Sequence, residues 1–345
     1  MTNSTFEDVA TVTSVADATP RPDRDTFAEI ARCWIGGLLA SSAWLATAGV
    51  SSFWPDIADS TWERTHEFAL LLGAVAGTIA VLTLASRWIG PLRRIRRAAP
   101  WLTALAALTL VWEIATAKAA LLPMPFFPPP QAIFEVLVDD NSRLIDCVLA
   151  SGRLLAGGYV IGAVFGFVAG VSIGWSQKAG YWIHPILRFI GPLPATAWLP
   201  LAFFVFPSSM SASTFLIALA TGFPVTVLTW SGIAGVNSTY YDVGRTLGAS
   251  QRFLVLKVAI PAAMPYVFVG LFMGLGSSFA VLVVAEMLGV KSGLGWYLQW
   301  AQGWAAYANM YTALFIMALA CSGLITLLFR ARDHLLSWQK GLVQW

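Results

Sequence analysis

The sequence predicts an all-α protein that crosses a membrane several times. Apolar residues make up 57% of the 345-residue chain and charged residues only 11%, whereas soluble domains carry about 25% charged residues. The apolar residues fall into runs near the length of about 20 residues that a membrane helix needs. Long alternating segments, which a membrane barrel would need, do not occur. Lipid must therefore be the solvent for much of the chain.

Eight apolar runs are candidate membrane spans, and a polar segment precedes them. The spans are predicted at residues 34–50, 68–88, 100–118, 152–174, 186–206, 213–233, 264–288 and 309–329. The first run is short, so it either crosses the membrane or lies at its interface. Residues 1–30 are polar and contain Pro20 and Pro22, which indicates a disordered tail. Its acidic residues argue against a cleaved signal peptide.

The distribution of Lys and Arg predicts that both termini are cytoplasmic, because cytoplasmic loops carry an excess of these residues. With eight alternating spans, the inner segments hold Arg21, Arg24, Arg32, Arg93, Arg94, Arg96, Arg97, Lys178, Arg245, Arg252, Lys257, Arg330, Arg332 and Lys340. The outer segments hold Arg64, Lys118, Arg143, Arg153 and Lys291. We interpret the basic cluster at 93–97 as a contact with anionic lipid rather than nucleic acid, and the net charge is only +3.

Two polar-flanked segments follow the third span on the predicted outer side. Residues 119–130 contain five prolines, which prevent a helix and favour an extended stretch. Residues 131–150 are amphipathic, with acidic residues on one side and aliphatic residues on the other. They predict a short helix that lies on the outer surface.

The most informative segment, residues 235–262, lies between two spans on the inner side. It is too long for an idle connection, and it has helical periodicity on both sides of Gly248. A short helix, a glycine turn and a second helix ending at Pro261 would form an elbow that reaches a partner protein. An interfacial helix that lies passively on lipid is the alternative from composition alone.

This elbow resembles the cytoplasmic loop of binding-protein-dependent ABC importer permeases. Asp-Val-Gly at 242–244 stands where the family has Glu-Ala-Ala, Gly248 stands at its glycine, and residues 258–261 stand at its closing Ile-x-Leu-Pro. The string at 245–250 is closer still to the nitrate, sulfonate, taurine and bicarbonate subgroup. Gly244 costs a helix about 1 kcal/mol relative to Ala, so the first arm of the elbow is expected to be less rigid than usual.

The resemblance covers about residues 100–345. Further similar stretches lie, in the family's order, at residues 122–130, 190–201 and 285–295. The resemblance implies a type I importer-like transmembrane domain with a six-span core at 100–345. Residues 31–99, which hold two extra candidate spans and a basic cytoplasmic loop, have no counterpart in that core.

The resemblance also implies two sets of site residues. Those expected at the contact with an ATPase are Tyr241, Asp242, Gly244, Arg245, Leu247, Gly248, Ala249, Ser250 and Pro261. Those considered for the transport pathway are Pro192, Pro194, Pro200 and Glu286. The prolines and glycines of 191–200 form either a broken helix beside the pathway or a packing kink. The alternative for Glu286 is a salt bridge with Lys291. Glu113, in another span, is either a pathway residue or paired locally.

The resemblance implies a permease subunit in a bacterial inner membrane that imports a small anion of the sulfonate, taurine, nitrate or bicarbonate type. The expected partners are cytoplasmic ATPase subunits carrying ATP and Mg, a second identical or similar permease subunit, membrane lipid, and a periplasmic or lipoprotein binding protein. The chain has no phosphate-loop string, and its scattered Cys and His predict no metal site or catalytic centre. An ion-coupled secondary transporter is the alternative.

Overall fold

Helices account for all the regular secondary structure in the described part of the chain, which confirms the all-α prediction. The structure is a computed structural model that describes residues 24–57, 62–85 and 93–337, and it describes their side chains except at 24–34 and 93–97. The chain divides into two units, Met1–Leu121 and Leu122–Trp345. Each unit has its own packing and is described separately.

Three long helices form the described part of the first unit. They are α1 (Arg24–Phe53), α2 (Thr65–Ala85) and α3 (Arg93–Glu113), which continues as a π-helical turn, Ile114–Lys118. Residues 24–30 of the predicted disordered tail are therefore helical, and the rest of the tail lies outside the described residues. A helix is favoured there because no Pro or Gly interrupts the chain between Pro22 and Gly36.

Hydrogen bonds from side chains to backbone carbonyls tie α1 to both of its neighbours. Ser41 Oγ donates to the carbonyl of Ala76 in α2 at 2.9 Å, and Trp44 Nε1 donates to that of Leu102 in α3 at 3.1 Å. Such bonds and close packing hold helices together in lipid, where the hydrophobic effect contributes little between them. The third span thus packs inside the first unit, and the predicted domain boundary at residues 99 and 100 stays a prediction.

A buried cluster of ionisable side chains joins the last turns of α1 and α3. The Lys118 ammonium forms an ion pair with Asp56 at 2.7 Å and donates to the backbone carbonyls of Ser51 and Trp54. Glu113 is fully buried one turn earlier, close enough to interact electrostatically with Lys118. Ionisable groups inside a membrane face protein rather than lipid because burial in lipid is costly. Neither Glu113 oxygen has a hydrogen-bond partner among the described residues, so both alternatives for Glu113 stay predictions.

Six described helices are long and apolar enough to cross a membrane, or seven if the bent pair between residues 177 and 205 is one span. With the bent pair counted as one span, they match seven of the eight predicted spans. The remaining run, 34–50, lies in α1, which is not among those six. The two extra N-terminal spans therefore stay a prediction. This count refers to the described residues.

The second unit contains ten further helices in its described part. They are α4 (Pro130–Asp139), α5 (Asn141–Trp175), α6 (Gln177–Ile190), α7 (Leu199–Val205), α8 (Ser209–Ala234), α9 (Ser238–Thr246), α10 (Gln251–Phe253), α11 (Ile260–Leu288), α12 (Leu294–Gly303) and α13 (Tyr307–Leu335). A 3-10 turn, Ala195–Trp198, precedes α7, and a π-helical segment, Leu254–Ala259, joins α10 to α11.

The predicted surface helix at 131–150 is wrong in its extent. α4 ends at Asp139, and residues 141–150 are the first turns of α5. With 35 residues, α5 is about 52 Å long at about 1.5 Å per residue, which exceeds a bilayer core of about 30 Å. Residues 141–150 are thus the part of a long helix that extends past the apolar layer of the membrane. The proline-rich stretch before α4 is non-helical, as predicted.

A row of glycines on α5 brings its backbone against α8. The glycines recur every fourth residue and are Gly158, Gly162, Gly166, Gly170 and Gly174. A Cβ atom at Gly166 would lie 2.6 Å from the carbonyl oxygen of Gly222, and one at Gly170 would lie 2.6 Å from Thr229 Cβ. Small residues at this spacing let membrane helices approach closely and gain dispersion contacts. α8 also contacts α11 closely through Gly270 and Gly274, so α8 is the centre of this unit.

A hydrogen-bond network fixes α12 near the N-terminal end of α5. The buried Tyr297 hydroxyl donates to Asp140 at 2.7 Å, and the Asn309 amide donates to the Tyr297 oxygen at 2.6 Å. Burial is the largest cause that raises the pKa of Tyr297 above its usual value. The Arg143 guanidinium lies 4.4 Å from the centre of the Trp300 ring. These contacts hold the ends of α4, α5, α12 and α13 together.

Candidate functional site

The segment between α8 and α11 forms an elbow with two helical arms. The first arm, α9, begins after Asn237, whose side-chain oxygen accepts a hydrogen bond from the Thr239 N–H at 3.0 Å. The second arm begins after Ser250, whose hydroxyl accepts from the Phe253 N–H at 3.3 Å. These caps satisfy N–H groups that a first helical turn leaves free. The sequence therefore specifies where each arm begins.

Gly248 makes the turn between the two arms. Its φ angle is +80°, a left-handed conformation that costs a residue with a Cβ atom about 1–2 kcal/mol. The Gly248 N–H donates to the Arg245 carbonyl at 2.9 Å, and the Ala249 N–H donates to the Gly244 carbonyl at 3.0 Å. This is the Schellman pattern that ends a helix at glycine. Because a Cβ atom there would meet no atom within 4 Å, the glycine is required by its backbone and not by packing.

The inner side of α9, by which we mean the side that faces the rest of the second unit, is packed against it. Tyr241 lies edge-on to Trp175 at the end of α5, with ring centres 5.5 Å apart, and burial raises the pKa of its hydroxyl. A Cβ atom at Gly244 would lie 2.6 Å from the buried Leu254 side chain. Tyr241 and Gly244 therefore anchor the elbow. Gly244 was expected only to make the first arm less rigid, but it also permits this close contact with Leu254.

The outer side of α9, which faces away from the rest of the second unit, carries apolar residues that nothing in the described chain covers. Tyr240 is 63% exposed, Val243 54% and Leu247 82%. Their spacing of three and four residues places them along one side of the helix. Asp242 and Arg245 flank them, are exposed, and form an ion pair at 3.4 Å. Tyr240 and Val243 were not among the predicted residues; their spacing from Leu247 places the three on one side of the helix but does not tell which way that side faces. We call Tyr240, Val243 and Leu247 the elbow stripe.

The second arm was predicted to end at Pro261, and this prediction is wrong. The helix runs without a break from Gln251 to Leu288, with Pro261 in the first turn of α11. The preceding residues 254–259 are π-helical, and the Ile260 N–H donates to the Val255 carbonyl five residues earlier. This local change in hydrogen bonding allows a helix to continue past a residue without an N–H group. Pro261 thus connects the elbow to a membrane span.

The predicted span at 186–206 is a broken helix, which was one of the two alternatives for its prolines. α6 and the helical segment that starts at Ala195 meet at 87°. Pro194 precedes the 3-10 turn, and Pro200 lies in the first turn of α7, where a missing N–H costs nothing. A Cβ atom at Gly191 would lie 2.6 Å from the Phe223 ring. The break therefore combines proline chemistry with close contact to α8.

A cavity of about 420 Å³ lies beside this break. Its lining includes Pro194 and Thr196 from the break, Phe223 from α8 and Ser277 from α11. Pro192 and Pro200 are close to it in sequence but are not among its lining residues. The broken helix thus borders a space with both apolar and hydroxyl groups. Whether the prolines border a transport pathway stays a prediction.

Glu286 lies apart from the broken helix and holds the start of α12. It is 1% exposed, and its Oε2 accepts a hydrogen bond from the Gly295 N–H at 2.8 Å. The Leu294 N–H donates beside it to Ser151 Oγ at 2.8 Å. Glu286 borders another cavity, of about 320 Å³, which shares no lining residue with the first. Among the described ion pairs none joins Glu286 to Lys291.

We expect Glu286→Ala to lower the thermal unfolding temperature of the purified protein. The change removes the acceptor for the Gly295 N–H and leaves a cavity, and a lost buried hydrogen bond alone costs about 1–3 kcal/mol. Glu286→Gln keeps an acceptor oxygen, so it should lose less stability. Wild-type stability of the Ala variant together with lost transport would contradict this structural role and support the pathway hypothesis.

The described residues contain no group of three or more His, Cys, Asp or Glu side chains that could hold a metal ion. The structure brings the predicted residues 241–250 together in the elbow, with Tyr241 and Gly244 on its inner side. It places Pro192, Pro194 and Pro200 at one break, and it places Glu286 elsewhere. The predicted site residues therefore form three separate regions.

Comparisons with known proteins give the family. Residues 162–340 match the family model described as "Binding-protein-dependent transport system inner membrane component". A probable ABC transporter permease protein of Brucella abortus is 31% identical over 230 residues, which cover 66% of this chain and 91% of that one. The nitrate import permease protein NrtB of Leptolyngbya laminosa is 30% identical over 257 residues, which cover 71% of this chain and 89% of that one.

A bicarbonate transport system permease protein, CmpB of Synechococcus elongatus, is 29% identical over 192 residues, which cover 55% of this chain and 66% of that one. A solved structure of the MetNI methionine ABC transporter is 18% identical, with a TM-score of 0.42, and covers 52% of this chain and 90% of that one. The family match does not favour the ion-coupled secondary transporter. The chain belongs to the family of binding-protein-dependent transport system inner membrane components, and it is a membrane-spanning permease subunit of an ABC importer, not itself an enzyme.

Proposed function

We propose that this permease imports a small anion, and that its elbow receives the force for transport from a separate cytoplasmic ATPase. The observation that carries this proposal is the elbow stripe, an apolar surface on a capped helix that the described chain leaves uncovered. Exposed apolar surfaces of this kind mark contacts with a partner. ATP and Mg would be bound by that partner.

The charges around the elbow support a cytoplasmic position for it. Arg245, Arg252 and Lys257 lie within or beside it, and basic residues are enriched on the cytoplasmic side of membrane proteins. This orientation puts both termini in the cytoplasm of a bacterium whose inner membrane holds the protein. The opposite end of α5, where Tyr297 and Asp140 interact, then faces a periplasmic or lipid-anchored binding protein.

The fixed inner side of α9 supports a direct transfer of movement. Tyr241 contacts Trp175 of α5, and the second arm continues without a break into α11. A displacement of the elbow would therefore move two membrane helices that both contact α8. A second permease subunit, identical or similar, would complete the pathway beside the broken helix.

The anionic class of solute is supported by two relatives whose names give different substrates of the same charge. One is named as a nitrate permease and another as a bicarbonate permease. The resemblance also implied sulfonates and taurine, which share an oxyanion group with nitrate and bicarbonate, although taurine also carries an ammonium group. The choice among them depends on the binding protein that delivers the solute.

The proposal is tested with the permease, its ATPase and its binding protein reconstituted in proteoliposomes. We expect ATP hydrolysis and uptake to rise several-fold with one of nitrate, bicarbonate, taurine or an alkyl sulfonate, and only when the binding protein is present. Uptake that needs an ion gradient but no ATP would contradict the proposal. So would an ATPase that is not stimulated by any of the four solutes.

Leu247→Asp tests the elbow within the same system. A charge on the elbow stripe would have to be desolvated against the ATPase, which opposes binding. We expect the variant to lose the ATPase during purification while the permease itself stays folded. Thr239→Asp, on the same helix but not in the stripe, serves as the matched control and should keep the ATPase.

A further inference from the structure

A cavity distinct from the one at Glu286 adjoins the cavity beside the broken helix; we call the cavity beside the break the first cavity and its neighbour the second. The second cavity measures about 390 Å³ and is lined by residues of α6 and α8, among them His184, Arg188, Phe223 and Trp230. Phe223 also lines the first cavity, so the two spaces are adjacent along one side of α8. Trp230 lies one turn before the end of α8, which places the second cavity on the elbow side of the break.

Positive charge distinguishes the second cavity from the first. Arg188 and His184 are the ionisable residues in the two linings, and neither lining contains a carboxylate. They are four residues apart on α6 and therefore lie on the same side of it. His184 is held edge-on against Trp230, with ring centres 4.4 Å apart. Within the described chain no acidic side chain forms an ion pair with Arg188.

A guanidinium group without an acidic partner, beside aromatic rings, is suited to an oxyanion. Arginine presents a planar set of N–H donors that matches oxyanions in a bidentate manner. A cavity lined by positive charge without a counter-charge raises the local concentration of ions of opposite sign. The Arg188 side chain is exposed, so an ion that enters the cavity can reach its guanidinium group.

We propose that Arg188, supported by His184, attracts the transported oxyanion as it passes the broken helix toward the elbow side. This inference rests on the proposed function, because it names a selecting residue for the anion that the permease is proposed to carry. The binding protein sets which solute is captured, whereas Arg188 acts after delivery. A change at Arg188 should therefore affect the maximal rate and not the half-saturating concentration.

The test uses the complete complex in proteoliposomes, with nitrate, bicarbonate and taurine as the probes. We expect Arg188→Gln to lower the maximal uptake rate about tenfold for the transported anion, within the range by which charged clefts change association rates. The half-saturating concentration and the ATPase activity without binding protein should stay near wild type. Arg188→Lys keeps the charge and should retain at least about a third of the rate.

Lys178→Gln is the matched control. Lys178 lies on the same helix and carries the same charge, but it lines neither cavity, so its loss should change uptake less than about twofold. Equal losses in the two Gln variants would overturn the inference, because they would reflect net charge alone. An unchanged rate in Arg188→Gln would overturn it as well.

Chemical modification separates charge from folding. Arg188→Cys should be restored in part by a cationic thiol reagent and not by an anionic reagent of similar size, with the wild-type complex treated in parallel because it contains native cysteines. Equal recovery with both reagents, or none with either, would overturn the role of charge. If no anion stimulates the wild-type complex, the proposed function fails first, and that outcome is distinguishable from an active wild type with an active Gln variant.

Discussion

Replacing Gly248 by Arg is expected to abolish ATP-driven uptake while the permease still inserts into the membrane. Gly248 lies at the apex of the elbow with φ at +80°, and no atom would lie within 4 Å of an added Cβ. The Arg side chain would therefore project from the elbow into the space that we assign to the ATPase. Uptake by proteoliposomes and recovery of the ATPase with the purified permease measure the two effects.

Gly248→Ala is the control for this prediction because it has the same backbone problem without the bulk. A residue with a Cβ atom in the left-handed region costs about 1–2 kcal/mol, so the Ala variant should be slightly less stable but should keep most of its uptake. Normal transport by the Arg variant would show that the elbow assignment is wrong. A complete loss in the Ala variant would show that the turn, and not the docking surface, is what the glycine serves.

Gly166→Leu is expected to have the largest effect on folding. Gly166 is the centre of the glycine row on α5, and an added Cβ would lie 2.6 Å from the Gly222 carbonyl oxygen. That oxygen belongs to the backbone of α8 and cannot move aside as a side chain could, so the two helices must separate. We expect a loss of about 3 kcal/mol or more, measured as a lower thermal unfolding temperature and a lower yield of monodisperse protein in detergent.

Gly157→Leu provides the matched control on the same helix. A Cβ atom at Gly157 would meet no heavy atom within 4 Å, and the residue is exposed. The same substitution there should leave the unfolding temperature almost unchanged, because leucine is well tolerated in helices and the added side chain would meet no other part of the described chain. Equal destabilisation at positions 157 and 166 would contradict the assigned α5–α8 packing.

Several features of the fold follow from local properties of the sequence. Apolar runs predicted seven segments that are helical and both long and apolar enough to span a membrane, counting the bent pair as one. The glycine at 248 predicted the turn of the elbow, because its conformation depends on that residue and its neighbours. Pro194 and Pro200 marked the region of the break for the same reason.

Other features depend on contacts between residues far apart in the chain. Pro261 was expected to end a helix, but the π-helical residues before it allow the helix to continue. Tyr241 was grouped with the residues expected at the ATPase contact, and only the structure shows that it packs against Trp175. Tyr240 and Val243, which are exposed, were not identified, because periodicity alone does not say which side of a short helix faces the protein.

Composition and the lengths of apolar runs were sufficient to establish a helical, lipid-embedded chain, since a backbone in lipid must satisfy its hydrogen bonds within each helix. The family pattern around the elbow could likewise be recognised in one continuous stretch of sequence. Only the packed structure decided which side of α9 is free, that Glu286 holds α12, and that Arg188 borders a cavity. Each of these depends on the distance between separate helices, which no local pattern contains.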